Sequence, residues 1–389
     1  MATLRPALAF VFAISAVPLA GASACREGTP GDASVQPTPA PAAAPATSAD
    51  KPVALAAAAD AKGRDTIDAP APAPEPVGLG PAKLVPLDDA QRTMMLAGDV
   101  DDPIPVETHY VQSNESRHDL FAEFIADKGG AFIGVGSDQS FTMMAVARSR
   151  LAFMLDIDYR VADLHRMYAV LIPKHEDARS LVDAWHSRNE TATKAVLAEA
   201  FAGLEEKERK RILGGFVVAR ETVYRHLERV IARKRDGKNT TWLSDPDNYA
   251  HVRAMYMTGR VRSMTGDLTG AHSMQTAAAA AKALGEKVMV LYMSNAEEYF
   301  KYTPQFIANI EALPIDDEQS MILRTIYSKK WVHADLWAYQ VQPIADLKKR
   351  LADRKNVKRS AMLRYAQIDG GLDKDTGVEG LTLIALTKP

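Results

Sequence analysis

The chain has 389 residues, a formal net charge of −2 at pH 7 and 47% hydrophobic residues. This near-neutral balance lacks the basic surface with which proteins bind nucleic acid, so we expect no nucleic-acid partner. The sequence holds one cysteine, which excludes an intramolecular disulfide and a thiolate metal site, so a hydrophobic core must hold the fold together.

The N-terminus has the pattern of an export signal. A short positive start that ends at Arg5 precedes an apolar stretch over residues 6–19, and small residues then lead to Cys25. Small residues followed by cysteine resemble the bacterial lipobox, whose cysteine is acylated. We therefore expect a signal peptide over residues 1–24 and a lipid on Cys25 that anchors the protein to a bacterial membrane in the cell envelope, on the periplasmic or the cell-surface side.

Residues 22–24 also fit ordinary cleavage, which would give a secreted protein. A membrane-spanning helix is disfavoured, because the apolar run is shorter than the ~20 residues that it needs.

The region that follows, up to residue 88, predicts a disordered tether. Residues 26–83 are rich in Ala, Pro, Ser, Thr and Asp and show no apolar periodicity. Such a composition cannot bury enough surface to offset the entropy of ordering the chain, and its prolines favour extended conformations. The globular domain is then expected over residues 89–389, with a helical insertion at about 160–240.

Beyond the tether, apolar runs and helical periodicities alternate along the chain. Short apolar runs that break into glycines or acids predict buried strands, and apolar spacings of three and four predict helices. In chain order the predicted elements are a helix over 118–128 stopped by Gly129 and Gly130, a strand over 131–138, a helix over 141–148, a strand over 151–158, helices throughout 159–238, a helix over 249–260, a strand over 261–267, a helix over 273–284, strands over 287–294 and 320–327, a helix within 335–354, and paired closing strands over 360–366 and 381–386. This alternation predicts an α/β domain with a mostly parallel, doubly wound, Rossmann-like sheet.

The helical stretch over residues 216–235 is rich in basic side chains. A solvated helix face is the commoner reason for such a pattern, and a patch that binds an anionic partner is the alternative. The basic residues are Arg220, Arg225, Arg229, Arg233, Lys234 and Arg235.

Four turns that follow predicted strands carry the residues of a candidate ligand site. Glycines let the backbone approach a ligand, an acid about 20 residues later can accept hydrogen bonds from a ribose, and the carboxyl ends of parallel strands meet at one edge of a sheet. The alternatives are structural glycine turns, acids that cap helices, and three carboxylates that hold a hard cation. The candidate residues are Gly134, Gly136 and Asp138 in the first turn, Asp156 and Asp158 in the second, Asp267 in the third and Asn295 in the fourth.

Over residues 129–300, the order of these turns resembles that of class I S-adenosylmethionine-dependent methyltransferases. The resemblance implies a methyltransferase-like fold with S-adenosylmethionine as a possible cofactor. It also implies a catalytic role for Asn295, which lies where the family often keeps groups that face the transferred methyl. As cofactor-binding residues it implies Gly134 and Gly136 for the methionine part, Asp156 or Asp158 for the ribose and Asp267 for the adenine, with Asp138 in the glycine loop where the family usually has a further glycine.

The predicted compartment bears on the choice between binding and catalysis. S-adenosylmethionine is made and used in the cytosol, so a protein outside the inner membrane would not meet it at a useful concentration, and a fold does not by itself imply a function. We therefore expect a tethered envelope protein that binds a small molecule or partner in its strand-end crevice. The alternatives are an S-adenosylmethionine-dependent methyltransferase and a non-catalytic envelope scaffold.

Overall fold

Short apolar runs form a seven-stranded sheet at the centre of the domain. The computed structural model describes residues 84–327, 337–352, 359 and 381–384, so Cys25, the predicted signal peptide and nearly all of the predicted tether lie outside the described residues. The strands of the sheet are β1 (Ala131–Val135), β2 (Leu151–Asp156), β5 (Val261–Thr265), β6 (Val288–Ser294), β7 (Met321–Tyr327), β8 (Trp337–Pro343) and β9 (Leu381–Leu383), and a separate hairpin consists of β3 (Lys234–Arg235) and β4 (Lys238–Asn239).

The order of the strands identifies the fold class. In space the sheet runs β5-β2-β1-β6-β7-β8-β9. Neighbours from β5 to β7 are parallel, whereas β8 is antiparallel to β7, and β9 runs parallel to β8. The predicted α/β fold with a mostly parallel, Rossmann-like sheet is therefore confirmed. The order reverses between β1 and β6, which makes this the switch point of a doubly wound sheet.

Helices cover both faces of the sheet, as strands that are apolar on both sides require. They are α1 (Asp89–Leu96), α2 (Ala122–Ile125), α3 (Gln139–Val146), α4 (Tyr159–Lys174), α5 (Ala178–Ala184), α6 (Glu190–Ala200), α7 (Glu206–Ile231), α8 (Pro246–Met257), α9 (Ser273–Ala283), α10 (Pro304–Ala312) and α11 (Ile344–Ala352). The core on one face includes residues of α2 to α8, and the core on the other includes residues of α1, α9, α10 and α11. The helices that follow β1 and β6 thus lie on opposite faces. None of the helices in the described ranges combines the length and the apolar character that a membrane crossing requires.

The C-terminal part of the described sheet contains a strand that the sequence did not indicate. The helix predicted within residues 335–354 is α11, and the residues before it form the unpredicted strand β8. Gln340 and Gln342 break the apolar run, yet both are buried, and Gln342 Oε1 accepts a hydrogen bond from Arg324 Nη1 at 2.6 Å. The predicted strand over 360–366 lies outside the described residues, and β9 pairs with β8.

Candidate functional site

The two glycines predicted for the first turn have different roles. The space beside Gly134 is filled by the protein itself, because an added Cβ would lie 2.4 Å from the ring of Phe132 and 2.9 Å from Ser140 Oγ. Gly136 has a φ of 86°, which favours glycine, and an added Cβ would lie 2.3 Å from Gln139 Nε2. Gly134 therefore lies within β1 and not in the turn, where it allows close packing, and Gly136 alone permits the tight turn from β1 toward α3.

Asp138 belongs to a buried ion pair just before α3. Its Oδ1 lies 2.7 Å from Nε2 of His226 on α7, and its Oδ2 accepts a hydrogen bond from Trp242 Nε1 at 3.2 Å. Burial alone would raise the pKa of Asp138, but the charge and hydrogen bond of His226 and the indole N–H outweigh it, so the pKa is lowered. Asp138 is thus an anion whose two oxygens are occupied by the protein.

The two acids after β2 have different environments. Asp158 is buried; its Oδ1 caps α4 by accepting the N–H of Arg160, and its Oδ2 lies 2.7 Å from His109 Nδ1. Asp156 is half-buried, and its Oδ1 accepts the N–H of Asp158 at 2.8 Å. Burial raises the pKa of Asp156 to about 7, and the nearby Asp158 carboxylate adds to the rise.

Asp267 is turned back on its own loop after β5. Its Oδ1 accepts the N–H of Thr269 at 2.7 Å and the hydroxyl of the same residue at 2.8 Å. The N–H groups of Asp267, His272 and Ser273 point instead at the carboxylate of Asp101, at 3.3, 2.9 and 3.1 Å. The acid at the start of α9 is therefore Asp101, which no sequence pattern had indicated.

Asn295 follows the last residue of β6. Its side chain makes no capping hydrogen bond to the short 3-10 helix over Ala296–Glu298 that follows. Its Nδ2 lies 3.4 Å from Glu298 Oε2 and 3.4 Å from the Tyr299 hydroxyl. Asn295 is thus held by long contacts within its own loop.

These residues lie along one edge of the sheet, because the strands that precede them are neighbours. The edge is covered by an irregular stretch over residues 99–117, here called the roof segment. Asp101 lies near its start, Ile104 N–H donates to Ile157 O just after β2 at 3.0 Å, and His109 contacts Asp158. The roof segment therefore lies over the positions that the methyltransferase resemblance assigns to the nucleoside part of a cofactor.

Glu115 fixes the far end of the roof segment. It is 3% exposed and accepts hydrogen bonds from His118 Nε2 at 3.0 Å, from the hydroxyls of Tyr292 and Ser294 at 2.5 Å, and from Thr325 Oγ1 at 2.7 Å. Burial alone would raise the pKa of Glu115, but His118 and the hydroxyl donors outweigh it, so the pKa is lowered. A buried carboxylate with four donors ties the roof segment to the ends of β6 and β7.

A cavity of about 520 Å³ lies between the roof segment and α7. It adjoins the switch point, because one lining residue, His226, bonds to Asp138 after β1, and another, Glu115, bonds to Ser294 at the end of β6. Its lining consists of residues 109–116 together with Thr222, His226, Arg229 and Arg233.

The sequence indicated only part of this lining. The arginine-rich pattern of the helix over 216–235 includes Arg229 and Arg233, whereas the roof segment has no periodicity that could have marked it.

The alternative of a cation site is not supported by the geometry. Within the described ranges, no group of three or more His, Asp or Glu side chains is placed to hold a metal ion, and this applies also to the acids after β2 and β5.

Comparison with known proteins gives one family and a distant structural likeness. No curated protein matches the sequence. Two solved structures, both of the rRNA methyltransferase aviRa from Streptomyces viridochromogenes, are 10% and 11% identical to it, and in each case the alignment covers 62% of this chain and 83% of that chain with a TM-score of 0.26. Residues 110–385 match the model of a family described as "Domain of unknown function (DUF7790)". Since this match spans well over half of the chain, the protein belongs to the DUF7790 family.

Proposed function

We propose that this chain is a lipid-anchored protein of the bacterial cell envelope whose α/β domain binds a small molecule in the cavity between the roof segment and α7. The observation that carries the proposal is the position of the cavity at the switch point, where open α/β sheets bind their ligands. Its volume of about 520 Å³ lies in the range of small-molecule sites, and charged side chains converge on it. Catalysis is not part of the proposal.

Native mass spectrometry of the protein purified from its own host tests ligand binding. We expect a bound small molecule that is lost in Thr222→Trp, because the indole would fill the cavity from the α7 side. Val218→Trp is the matched control, since Val218 lies on the same helix, is 71% exposed and does not line the cavity. A native protein without any bound mass would contradict the proposal and favour the scaffold alternative.

The anchor rests on the signal pattern that ends at Cys25. Growth with radiolabelled fatty acid should label the wild-type protein, and Cys25→Ser should abolish the label because the acylated thiol is gone. Ser23→Ala is the control, since it keeps both the cysteine and the small residues before it. Unlabelled wild-type protein in the culture medium would show ordinary secretion instead.

An S-adenosylmethionine-dependent methyltransferase is the alternative function. It is favoured by the adjacency of the Gly136 turn and Asp156 at the ends of neighbouring parallel strands. Calorimetry with S-adenosylmethionine and S-adenosylhomocysteine tests it, and Asp156→Ala should weaken a ribose-containing ligand by roughly 1–3 kcal/mol. Absence of binding at millimolar ligand would remove this alternative, and binding that Asp156→Ala leaves unchanged would remove the role of Asp156.

A further inference from the structure

Basic side chains occupy the α7 side of the cavity. Thr222, His226 and Arg229 are four and three residues apart, so they lie on one face of α7, and Arg233 follows two residues after its end. All four line the cavity. The arginine-rich pattern of the sequence therefore divides into a part that faces this cavity and a part that does not.

The two arginines carry charge that the described residues do not neutralise. Arg233 is half-buried, and its guanidinium makes no hydrogen bond or ion pair with any described residue. Because the side chain is partly removed from water, burial lowers its pKa, although the charge of Asp138 partly opposes this effect. Arg229 donates from Nη2 to the neutral Gln112 Oε1 at 3.1 Å and has no carboxylate partner in the described ranges.

A desolvated guanidinium without a partner is unfavourable, because it has given up hydrogen bonds with water and received none in return. Carboxylate and phosphate oxygens match the planar array of N–H donors on arginine and form strong, charge-assisted hydrogen bonds with it. The environment of Arg233 is therefore that of an anion-binding arginine.

His226 adds a polar atom of a different kind. A carboxylate only accepts hydrogen bonds, so the ring nitrogen that contacts Asp138, Nε2, must carry a proton. The other nitrogen, Nδ1, has no hydrogen-bond partner among the described residues. It is also not one of the buried polar atoms that lack a partner within those residues. Because His226 lines the cavity, Nδ1 is available for a hydrogen bond with a polar group of a ligand.

The acid on the lining does not cancel this charge. Glu115 already accepts four hydrogen bonds from its own cluster, which includes His118 and Thr325. Asp138 is held by His226 and Trp242. The oxygens of both carboxylates are thus engaged away from the arginines.

We propose that the ligand of the cavity is a small oxyanion, a molecule with a phosphate or carboxylate group that Arg233 and Arg229 bind while His226 Nδ1 forms a further hydrogen bond with it. This inference rests on the proposed function and adds the chemical class of the ligand. The cavity, at about 520 Å³, is large enough for a small metabolite, and the buried pair with Asp138 fixes the orientation of the imidazole.

Calorimetry on the full-length wild-type protein at low ionic strength tests the inference with inorganic phosphate, succinate and the neutral sugar glucose as probes. We expect one of the two anions to bind and glucose not to bind, and the tighter anion tells phosphate from carboxylate recognition. Arg233→Gln should weaken the anion by about tenfold or more, because a charge-assisted contact is lost. Arg229→Gln, at an exposed position, provides a second variant should Arg233→Gln fail to fold.

Arg225→Gln is the matched control, because it removes the same charge from an exposed position of α7 where Arg225 pairs with Glu221. An equal loss in Arg225→Gln would mean a general effect of charge and would overturn the inference, as would the absence of binding of both anions at about 10 mM. A neutral molecule found by native mass spectrometry, with no anion binding, would overturn the inference and leave the proposed function standing. A native protein without a bound molecule would remove the proposed function itself.

Discussion

At the residue scale, acids at one edge of the sheet differ in charge because their neighbours differ. Asp138 faces an imidazole and an indole N–H, which hold its pKa below the ordinary value although it is buried. Asp156 faces another carboxylate, that of Asp158, and burial raises its pKa to about 7. Position at a strand end therefore does not decide whether an acid is an anion; its hydrogen-bond partners do.

The raised pKa of Asp156 makes stability depend on pH. The folded pKa of about 7 exceeds the ordinary value of 3.8, so the contribution of the neutral carboxyl is fully present below about pH 4 and is lost as the pH rises through 7. Asp156→Asn keeps an oxygen for the N–H of Asp158 and cannot ionise. We expect the free energy of unfolding of the variant at pH 8 to exceed that of the wild type by ~1–3 kcal/mol, a range that allows for the partial exposure of Asp156. This difference in free energy should shrink as the pH falls toward 4.

Urea denaturation at pH 4, 6 and 8 measures this change. Asp89→Asn, at an exposed position of α1, serves as the control and should show no such trend. A gain of equal size at all three pH values would mean that ionisation of Asp156 is not its cause.

Glu115 gives a second prediction at this scale. Replacement by Gln turns one accepting oxygen into an N–H₂ group that faces donors, so buried hydroxyl and imidazole groups lose their acceptor. We expect Glu115→Gln to lower the free energy of unfolding by ~2–4 kcal/mol. Glu123→Gln, exposed on α2, should change it by less than ~0.5 kcal/mol. Chemical denaturation measures both, and similar small effects would show that the four hydrogen bonds do not stabilise the fold.

At the element scale, the roof segment is held on the sheet by polar contacts at its two ends. At its start, Asp101 N–H donates to Ser273 Oγ at 2.8 Å, and Thr265 Oγ1 donates to Asp101 O at 2.6 Å. The carboxylate of Asp101 accepts the N–H of Asp267 in the loop after β5 and the N–H groups of His272 and Ser273 at the start of α9, where the helix dipole also favours a negative charge.

The adjacent acids Asp101 and Asp102 offer a matched test of this attachment. Asp101 is 7% exposed and accepts hydrogen bonds through both carboxylate oxygens, whereas Asp102 is exposed. Asp101→Asn presents N–H₂ to N–H donors, so we expect a loss of ~1–3 kcal/mol and faster amide exchange at His272 and Ser273. Asp102→Asn should change neither. Unchanged exchange in Asp101→Asn would show that the carboxylate does not hold the start of α9.

The sequence predicted strands and helices well where a local run of apolar residues or of alanines is enough to determine the element. Apolar runs between glycines and acids marked β1, β2 and β6, and the alanine-rich run marked α9. It failed for β8, because Gln340 and Gln342 look solvent-exposed in a sequence and become buried only by pairing with β7 and by partners such as Arg324. Local pattern cannot report partners that are distant along the chain.

The candidate site shows the same limit. The sequence indicated that the candidate residues share one edge of the sheet, since strand ends follow from the strands themselves. It could not indicate that Asp158 and Asp267 are engaged by His109 and Thr269 of the protein itself. Nor could it locate the cavity, because the roof segment is irregular and the cationic face of α7 has the same spacing as an ordinary solvated face.

At the scale of the whole molecule, the residues just before α1 and those of α1 itself contribute to the hydrophobic cores on both faces of the sheet. Leu84 and Leu87 are 6% and 3% exposed and belong to the cores on opposite faces of the sheet. Met95 on α1 is 1% exposed and packs in the same core as α9. The N-terminal end of the domain therefore seals both layers rather than lying on the surface.

Two truncations test where folding stability begins. Removal of residues 1–83 keeps every described buried residue, so we expect an unchanged denaturation midpoint. Removal of residues 1–98 also deletes Leu84, Leu87 and Met95, each worth roughly 1.5–3 kcal/mol of burial. It further takes away the carbonyl oxygens of residues 95, 97 and 98, which accept hydrogen bonds from the buried guanidinium of Arg262 at 3.1, 2.7 and 3.3 Å. The shorter chain should therefore unfold at a much lower denaturant concentration or fail to fold, and equal midpoints for the two truncations would show that α1 does not belong to the cooperative unit.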